Sequence, residues 1–234
     1  IQDEGSQLVV AAADARGEHR VLDYCAGAGG KTLALAMTME NLGHIVACDV
    51  HEKRLDGAVK RLRRAGVHNV ERHLLVSGDK WAKRRAGSFD RVLVDAPCSG
   101  TGTWRRNPDA RLRLTPEDIQ ELVVKQAQIL DRAASLVKPG GRMIYATCSL
   151  LACENGQQID AFLKRRDDFR RLPKEQMSEL LPAELRSKAQ FSLTPLRDGT
   201  DGLFACDLER VETEAKTHAE DVAVTGPGAE DSSQ

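Results

Sequence analysis

Short apolar runs alternate with longer amphipathic segments along most of this chain. The runs are rich in Val, Ile, Leu and Ala, as strands buried on both faces of a parallel sheet are. The segments between them repeat their apolar positions with helical spacing. This alternation predicts an α/β fold with a doubly wound, mostly parallel sheet. The predicted strands are Arg20–Tyr24, His44–Cys48, Asn69–Val76, Phe89–Val94, Arg142–Ala146 and Leu203–Leu208.

The predicted helices lie mostly between these strands. One of them has a clear start, because Thr115 is followed by Pro116 and two acids, which is typical of a first helical turn. The sequence Lys138–Gly141 (Lys-Pro-Gly-Gly) predicts a turn after this helix. The predicted helices are Leu8–Ala13, Leu33–Leu42, Glu52–Ala65, Pro116–Val137 and Cys153–Arg166.

The C-terminal part of the chain is patterned more weakly. Residues 170–195 contain several prolines and no clear period. The turn-forming segment Asp198–Gly202 precedes the last strand and predicts a closing hairpin. Residues 209–234 are acidic and end in a stretch rich in Gly, Glu, Ser and Thr. We therefore expect one domain over residues 1–208 and a disordered tail over residues 209–234.

Composition places the chain among globular proteins. Its 234 residues fit one large α/β domain, and its hydrophobic (41%) and charged (29%) fractions are ordinary. No apolar run reaches membrane-spanning length and the first residues are polar, so we expect neither a membrane segment nor a signal peptide. The six cysteines form no CxxC pair and none has zinc-ligand spacing to a histidine, which predicts no metal site. We expect a monomer in a reducing cytoplasm.

The net charge of −1 hides an asymmetry. The segment from Glu209 onward has seven acids and two bases, or −5, so the rest of the chain carries +4. A mildly basic domain is compatible with a nucleic-acid partner but does not require one. Trp104, Arg105 and Arg106 interleave a large aromatic ring with arginines, which suits clamping a phosphate backbone and stacking a base. Arg54 belongs to a basic run that is otherwise typical of a solvated helix face.

Two thiols follow neighbouring strands at the same predicted edge of the sheet. Cys98 lies within the sequence DAPCSG over residues 95–100, and Cys148 lies within TCS over residues 147–149. Ligands bind at the carboxyl ends of the strands in an open α/β sheet. A single free cysteine is most often a small buried hydrophobe. Two of them, each beside a serine at a strand end, indicate chemistry instead.

A glycine-rich loop over Cys25–Lys31 follows the first strand and opens a helix. A phosphate-binding P-loop would need glycine at position 25, and a dinucleotide fingerprint would need glycine where Thr32 stands. A class I S-adenosylmethionine methyltransferase needs a glycine loop, an acid after the second strand and a polar group after the third. This third interpretation is favoured because all three groups are present. They are Gly27, Gly29, Asp49 and Asp79.

Five short motifs occur along the chain in the order QDEGSQ, CAGAGGKT, DAPCSGTG, TCS followed by Glu154-Asn155, and a late Asp201-Gly202. Together they resemble the RNA cytosine-C5 methyltransferases of the bacterial RsmB and eukaryotic Nop/Sun group, over about residues 1–208. The resemblance implies a Rossmann-like class I methyltransferase fold, with a seven-stranded, mostly parallel sheet and an antiparallel C-terminal strand. It also implies S-adenosylmethionine as cofactor and a cytosine in ribosomal RNA, or in transfer RNA, as substrate.

The same resemblance implies roles for individual residues. The TCS cysteine, here Cys148, is the nucleophile in this family, and the PCS cysteine, here Cys98, helps to release the product. The family often has proline where Ala28 stands. Relatives carry an RNA-binding region before QDEGSQ, so we expect this chain to be the catalytic portion of a longer protein. The candidate cofactor contacts are Cys25, Ala26, Gly27, Ala28, Gly29, Gly30, Lys31, Asp49, Arg54, Asp79 and Asp95.

The chemistry of cytosine gives the candidate catalytic residues a mechanism. C5 is a poor nucleophile until a thiolate adds to C6 and makes it enamine-like. We expect Cys148 to have a lowered pKa, aided by Lys31, and Asp95 to hold the amino or N3 edge of a base that is unpaired or flipped out. Cys98 is a candidate for removing the C5 proton, which alternatively leaves through another base or water. The expected substrate contacts are Asp95, Pro97, Trp104, Arg105 and Arg106.

Three other functions stay open from the sequence. A DNA cytosine-C5 methyltransferase would use Cys98 as nucleophile, but it needs a target-recognition insertion for which 234 residues leave no room. A non-catalytic, methyltransferase-like RNA-binding module is disfavoured because Cys98, Cys148 and Asp95 are all present. A nucleotide-dependent oxidoreductase is disfavoured by the broken fingerprint at Thr32.

Overall fold

The protein folds around one twisted sheet with helices on both faces. The computed structural model describes residues 2–78 and 80–212. The helices are α1 (Glu4–Ala12), α2 (Gly30–Thr38), α3 (Glu52–Arg64), α4 (Trp81–Arg84), α5 (Asp109–Arg113), α6 (Pro116–Ala134), α7 (Gly156–Arg165) and α8 (Pro195–Asp198). The strands are β1 (Arg20–Asp23), β2 (His44–Asp49), β3 (Val70–Leu74), β4 (Phe89–Asp95), β5 (Val137–Thr147), β6 (Phe169–Arg171), β7 (Gln190–Leu193) and β8 (Leu203–Arg210). Short 3₁₀ turns cover Thr101–Thr103, Ala152–Glu154, Lys174–Gln176 and Ala183–Leu185.

The sheet order confirms the predicted α/β architecture. The path is β3-β2-β1-β4-β5-β8-β6, and β7 also pairs with β8. Strands β1 to β5 pair in parallel, whereas β8 runs antiparallel to β5, β6 and β7. The chain order reverses direction at β1 and β4, which places the open crevice of the fold above their carboxyl ends.

Both faces of the central strands are buried, which explains their continuous apolar runs. Alternate residues such as Leu22 and Val92 pack on one face with Leu130 of α6. Their neighbours Val21 and Leu93 pack on the other face with helices α1 and α2. Buried parallel strands therefore read as unbroken hydrophobic sequence rather than as alternation.

The sheet has eight strands, one more than the seven expected. The two short strands β6 and β7 lie in or at the border of the proline-containing segment that showed no period. Because β6 has three residues and β7 has four, neither is long enough to show alternation in the sequence. The predicted closing hairpin is confirmed, since β7 pairs antiparallel with β8.

Three local expectations were wrong. The predicted turn Lys138–Gly141 lies inside β5 rather than before it. Val137 pairs with Phe89 and Arg142 with Arg91, so the four residues between them are an irregular, unpaired insertion in β5, in which Gly140 has a positive φ of 72°. The predicted helix Cys153–Arg166 is divided into a 3₁₀ turn and α7. Strand β8 extends to Arg210, two residues into the predicted tail, and residues 213–234 of that tail lie outside the described residues.

The long helix α6 begins where its sequence predicted. Thr115 Oγ1 accepts from the backbone N–H of Asp118, and the Asp118 carboxylate accepts from the backbone N–H of Thr115, which is a capping box. The helix ends at Ala134, earlier than expected. In the part of the chain that the structure describes, no helix is both long and apolar enough to cross a membrane.

Candidate active site

Parallel pairing of β4 with β5 brings the two cysteine loops together. Asp95 is opposite Ala146 in the register, so the loops that follow leave the sheet side by side. Cys98 Sγ and Cys148 Sγ are 3.4 Å apart, within the range of an S–H···S hydrogen bond. The sequence predicted that both thiols lie at one edge, and the structure places them in direct contact.

The contact shifts the pKa values of the two thiols in opposite directions. Donation from Cys98 lowers the pKa of Cys148, burial and the negative charge of Asp95 oppose this, and the ammonium of Lys31 adds a further lowering. The same hydrogen bond, together with burial, raises the pKa of Cys98. The pair therefore favours a thiolate on Cys148 and a proton on Cys98.

An ion pair lies between the glycine loop and the cysteine loops. Lys31 Nζ is 2.6 Å from Asp95 Oδ2, and both side chains are largely buried. Burial of Lys31 opposes its charge, but Asp95 outweighs this and raises the pKa of Lys31. Lys31 consequently stays protonated at neutral pH and is available as a fixed positive charge beside Cys148.

The glycine loop is built for close backbone approach. Gly27 and Gly29 have φ values of 54° and 78°, a region that side chains disfavour. A methyl group on Gly29 would also lie only 2.8 Å from Cβ of Ala58 on α3. Gly30 is the first residue of α2, so the loop ends at a helix N-terminus. Glycine is therefore favoured at position 27 by its dihedral angle, and required at position 29 by both dihedral angle and space.

Asp49, the acid after β2, orders this loop. Its two carboxylate oxygens accept from the backbone N–H groups of Gly27 (2.9 Å) and His51 (2.8 Å). Each oxygen of an ionised carboxylate has a second acceptor position. Asp49 can thus hold the loop and still accept from ribose hydroxyls.

The remaining candidate cofactor residues have different surroundings. Ala26 donates its N–H to the carbonyl of Cys48, and the carbonyl of Ala28 lies 3.4 Å from the guanidinium of Arg61. Burial raises the pKa of the Cys25 thiol, which makes it a packing residue. Arg54 is exposed in the first turn of α3. Asp79 lies outside the described residues.

Asp23, at the end of β1, is a site residue that the sequence reasoning missed. It is fully buried, and its Oδ2 accepts from Thr32 Oγ1 at 2.7 Å. Its Oδ1 has no hydrogen-bond partner among the described residues. Burial raises the pKa of Asp23 to about 7. An acid that ends a buried strand directly before the glycine loop was the signal that could have identified it.

Glu154 is the second residue without an assigned role. It is completely buried, and its carboxylate accepts from Ser99, Ser149 and Gln126. Gln126 also donates to the carbonyl of Pro97, 3.0 Å away. The sequence showed Glu154 within a family motif, but only the structure shows that it contacts both cysteine loops.

The loop that carries Trp104 and the arginines is held against Asp201. Arg106 donates to the nearly buried carboxylate of Asp201, with Nε at 2.7 Å, and Arg105 lies 3.8 Å from the same carboxylate. The ring of Trp104 faces Arg111, whose guanidinium is 5.7 Å from the ring centroid. Arg106 is thus engaged with Asp201 while its side chain stays 61% exposed, and the expected contact of both arginines with phosphate stays a prediction.

No group of three or more His, Cys, Asp or Glu side chains suited to a metal ion occurs within residues 2–78 and 80–212. The chemical groups that meet at the strand ends are instead two thiols, an ion pair and a glycine loop. A family model described as "16S rRNA methyltransferase RsmB/F" matches residues 10–209. The chain belongs to the RsmB/F family.

Similar proteins agree with this assignment. The probable ribosomal RNA small subunit methyltransferase B of Bacillus subtilis is 36% identical over 216 residues, which cover 90% of this chain and 47% of the relative. The crystal structure of PH0851 is 34% identical, with a TM-score of 0.81 over 90% of this chain and 46% of that one. NSun6 from Pyrococcus horikoshii, solved with SFG, shares the fold, with 23% identity and a TM-score of 0.78 over 91% of this chain and 53% of that chain. The chain therefore spans about half the length of the curated relatives it matches.

Membership of the RsmB/F family confirms the expected resemblance and the expected fold. The family model and these relatives are named as ribosomal RNA methyltransferases. At that level the expectation of a methyltransferase with S-adenosylmethionine as cofactor is confirmed, whereas RNA as the substrate of this chain stays a prediction.

Proposed function

We propose that this domain transfers a methyl group from S-adenosylmethionine to C5 of a cytosine in ribosomal RNA, through a covalent bond between Cys148 and C6. The observation that carries the proposal is the 3.4 Å contact between Cys98 and Cys148 beside the Lys31–Asp95 ion pair. Methylation at an exocyclic nitrogen or a ribose hydroxyl needs no nucleophilic thiol, whereas methylation at C5 does.

Cys148 is the better nucleophile of the two. Its lowered pKa gives it the larger thiolate fraction at neutral pH, and Cys98 holds the shared proton. The Cys148 thiolate forms a bond to C6, and the electron pair of the C5–C6 double bond becomes available at C5. That pair then forms the bond from C5 to the transferred methyl, while the bond between this methyl and the sulfonium sulfur of the donor breaks and leaves its electron pair on that sulfur.

Asp95 and Lys31 are placed to support this addition. The half-buried carboxylate of Asp95 follows β4 directly and can accept from the exocyclic amino group of the cytosine. Lys31 holds Asp95 in place and supplies positive charge near the thiolate. A fixed cation in a partly buried site acts more strongly than the same charge in water.

Product release follows the addition in reverse. The C5 proton leaves, its bonding pair restores the C5–C6 double bond, and the pair of the C6–S bond returns to Cys148. A thiol with a raised pKa is a poor base at neutral pH, so Cys98 is better suited to donating its S–H to the departing sulfur than to removing the C5 proton. We therefore assign proton removal to water.

The residues around the glycine loop fit S-adenosylmethionine. Bound there, the cofactor would supply an electrophilic methyl group on a sulfonium. Asp49 has acceptor capacity for ribose hydroxyls, and Gly27 and Gly29 keep the loop free of side chains. Asp23 has a buried oxygen with no partner among the described residues, which suits a hydrogen-bond donor arriving at this loop.

The nature of the methylated position tests the proposal. Unmodified ribosomal RNA fragments and an unmodified transfer RNA are incubated with the protein and S-adenosylmethionine, digested to nucleosides and analysed by mass spectrometry. We expect 5-methylcytidine in the ribosomal RNA, with none formed by Cys148→Ser. N4-methylcytidine, a 2′-O-methyl nucleoside or product from Cys148→Ser would contradict the C5 mechanism. Product in the transfer RNA alone would reassign the substrate.

A further inference from the structure

One buried carboxylate joins the two loops that carry the cysteines. Glu154 Oε1 accepts from the backbone N–H of Ser99 and from Gln126 Nε2, each at 2.9 Å. Glu154 Oε2 accepts from the hydroxyls of Ser99 and Ser149. These two serines directly follow Cys98 and Cys148 in the sequence. Each loop is therefore bonded to the same carboxylate one residue beyond its thiol.

These four donors use the acceptor capacity of the carboxylate. An ionised carboxylate has roughly four lone-pair positions, and all of those on Glu154 are directed to protein donors. Burial of a carboxylate is costly unless donors surround it, which is the arrangement here. With no acceptor position left for a substrate proton, Glu154 acts through the loops rather than on the base.

The backbone around Glu154 is fixed to β5 and to the Cys148 loop. Tyr145 Oη donates to the carbonyl of Glu154 at 2.8 Å. The next residue, Asn155, accepts from Thr147 Oγ1 at 2.6 Å and donates to the carbonyl of Ser149 at 2.8 Å. The backbone that carries the Glu154 carboxylate is therefore fixed beneath the Cys148 loop.

Direct bonds from Gly102 N–H to the carbonyl of Cys148 (3.0 Å) and from Leu150 N–H to Thr101 Oγ1 (2.8 Å) also join the two loops, further from the Cys98 thiol. The bonds of Glu154 to Ser99 add a link at the residue next to Cys98.

We propose that Glu154 is a positioning residue that ties the Cys98 loop to the Cys148 loop and so holds the two sulfurs in contact. The inference rests on the proposed function, because it concerns how the same two thiols are made unequal. If the tie is lost, Ser99 and the adjacent Cys98 shift away from the Cys148 loop, although Gly102 still bonds that loop, and Cys98 no longer donates to Cys148. Cys148 then loses the hydrogen bond that favours its thiolate.

The reactivity of Cys148 toward iodoacetamide as a function of pH measures this contact without RNA. Glu154→Ala removes all four bonds. Glu154→Gln keeps them, because the amide oxygen accepts from Ser99 N–H and Gln126 while the two hydroxyls turn to accept from the amide group. Asp207→Asn, which changes another buried acid on β8, is the matched control. Alkylation at Cys148 is quantified by peptide mass spectrometry.

We expect Glu154→Ala to raise the apparent pKa of Cys148 by about one unit, which lowers its alkylation rate at pH 7 about tenfold. Glu154→Gln and Asp207→Asn should follow the wild-type profile. A wild-type profile for folded Glu154→Ala would overturn the proposal. So would a Glu154→Gln profile as slow as that of Glu154→Ala, because charge rather than the tie would then be responsible.

A milder variant covers the case in which Glu154→Ala does not fold. The double variant Ser99→Ala/Ser149→Ala removes both hydroxyl donors but keeps the buried carboxylate with its other two donors. Binding of S-adenosylmethionine verifies its fold. We expect a shift of the Cys148 profile in the same direction, and an unchanged profile would contradict the tie.

Failure of this inference is distinguishable from failure of the proposed function. An unchanged thiol profile in the Glu154 variants, with 5-methylcytidine still formed by the wild type, rejects only the positioning role. Wild-type protein that binds S-adenosylmethionine but methylates another position rejects the C5 mechanism and leaves the thiol measurement interpretable.

Discussion

At the residue scale, the reactivity of Cys148 depends on two neighbours that both favour its thiolate. When Cys148 is ionised, the S–H of Cys98 donates a hydrogen bond to its sulfur, and Lys31 places a positive charge nearby. Burial acts against both, because it disfavours any charged form. The proposed nucleophile is thus poised by specific contacts rather than by exposure.

Replacing Lys31 tests the electrostatic part of this balance. Lys31→Gln removes the cation and leaves Asp95 without its ion-pair partner, so the pKa of Cys148 should rise. We expect the pKa of Cys148 to rise by about one unit at most, so the alkylation rate at pH 7 should fall several-fold. The pH optimum of methylation should move upward.

Lys138→Gln is the matched control for that variant. Lys138 Nζ lies 2.5 Å from Asp90 Oδ1, an ion pair on strands β4 and β5 at the end opposite the cysteines. Its loss should leave the Cys148 profile unchanged. A profile that is equally shifted by both variants, or by neither, would contradict a specific role of Lys31.

Several residue-level expectations came directly from the sequence, and others could not. The pairing of Cys98 with Cys148 was predictable, because both follow strands that end at one edge of a parallel sheet. The bond between Arg106 and the buried carboxylate of Asp201 was not, since almost a hundred residues separate the two positions and a loop sequence does not show which side chains are paired within the protein. Asp23 and Glu154 act through burial, which apolar patterning does not reveal for a lone acid.

At the scale of elements, the long and strongly patterned segments were predicted best. Strands β1, β2 and β4 and helix α3 lie within about one residue of their predicted bounds. Strands β6 and β7 were not predicted, because their extended form depends on pairing with β8 rather than on their own sequence. Lys138–Gly141 was placed before the strand because its composition is typical of turns, whereas it forms an irregular segment inside β5 that has no register partner on β4.

The loop between β1 and α2 gives the prediction at this scale. Gly29→Ala introduces a side chain at a φ of 78° and within 2.8 Å of Ala58 Cβ. We expect the affinity for S-adenosylmethionine, measured by calorimetry, to fall at least tenfold, because the loop must shift away from α3.

Gly57→Ala on the neighbouring helix α3 is the matched substitution. A methyl group there meets no atom within 4 Å. Alanine in a helix interior is more favourable than glycine by about 1 kcal/mol, so this variant should be slightly more stable and bind the cofactor normally. Normal cofactor affinity for Gly29→Ala would show that the loop is not the binding element.

At the scale of the whole molecule, two buried acids connect stability to pH. Burial raises the pKa of Asp23 to about 7 and that of Asp207 to about 8, against 3.8 for an exposed aspartate. Arg142 and Arg91 act against the shift at Asp207 without cancelling it. In the folded protein each acid therefore keeps its proton at pH values where the unfolded chain has lost it.

The free energy of unfolding should therefore fall as the pH rises. A raised folded-state pKa contributes stability that is fully present below about pH 4 and is lost as the pH rises through about 8 for Asp207. Asp207→Asn removes this dependence. Relative to the wild type, the variant should gain free energy of unfolding between pH 5 and pH 8, by at most about 1.4 kcal/mol per pH unit.

Urea denaturation of both proteins at several pH values measures that difference. A difference that does not change with pH would mean that Asp207 is already ionised at pH 5 and paired with an arginine. A variant that becomes relatively less stable toward pH 8 would reverse the sign and contradict a raised pKa of Asp207 in the folded protein.

The central claim is that Cys148 bonds covalently to the base and that Cys98 serves its release. It is tested most directly on a denaturing gel, with labelled unmodified ribosomal RNA, S-adenosylmethionine and the wild type, Cys98→Ala or Cys148→Ala. The account predicts that Cys98→Ala accumulates a covalent protein–RNA band and that Cys148→Ala forms none. A band that persists in Cys148→Ala and disappears in Cys98→Ala would contradict it and make Cys98 the nucleophile.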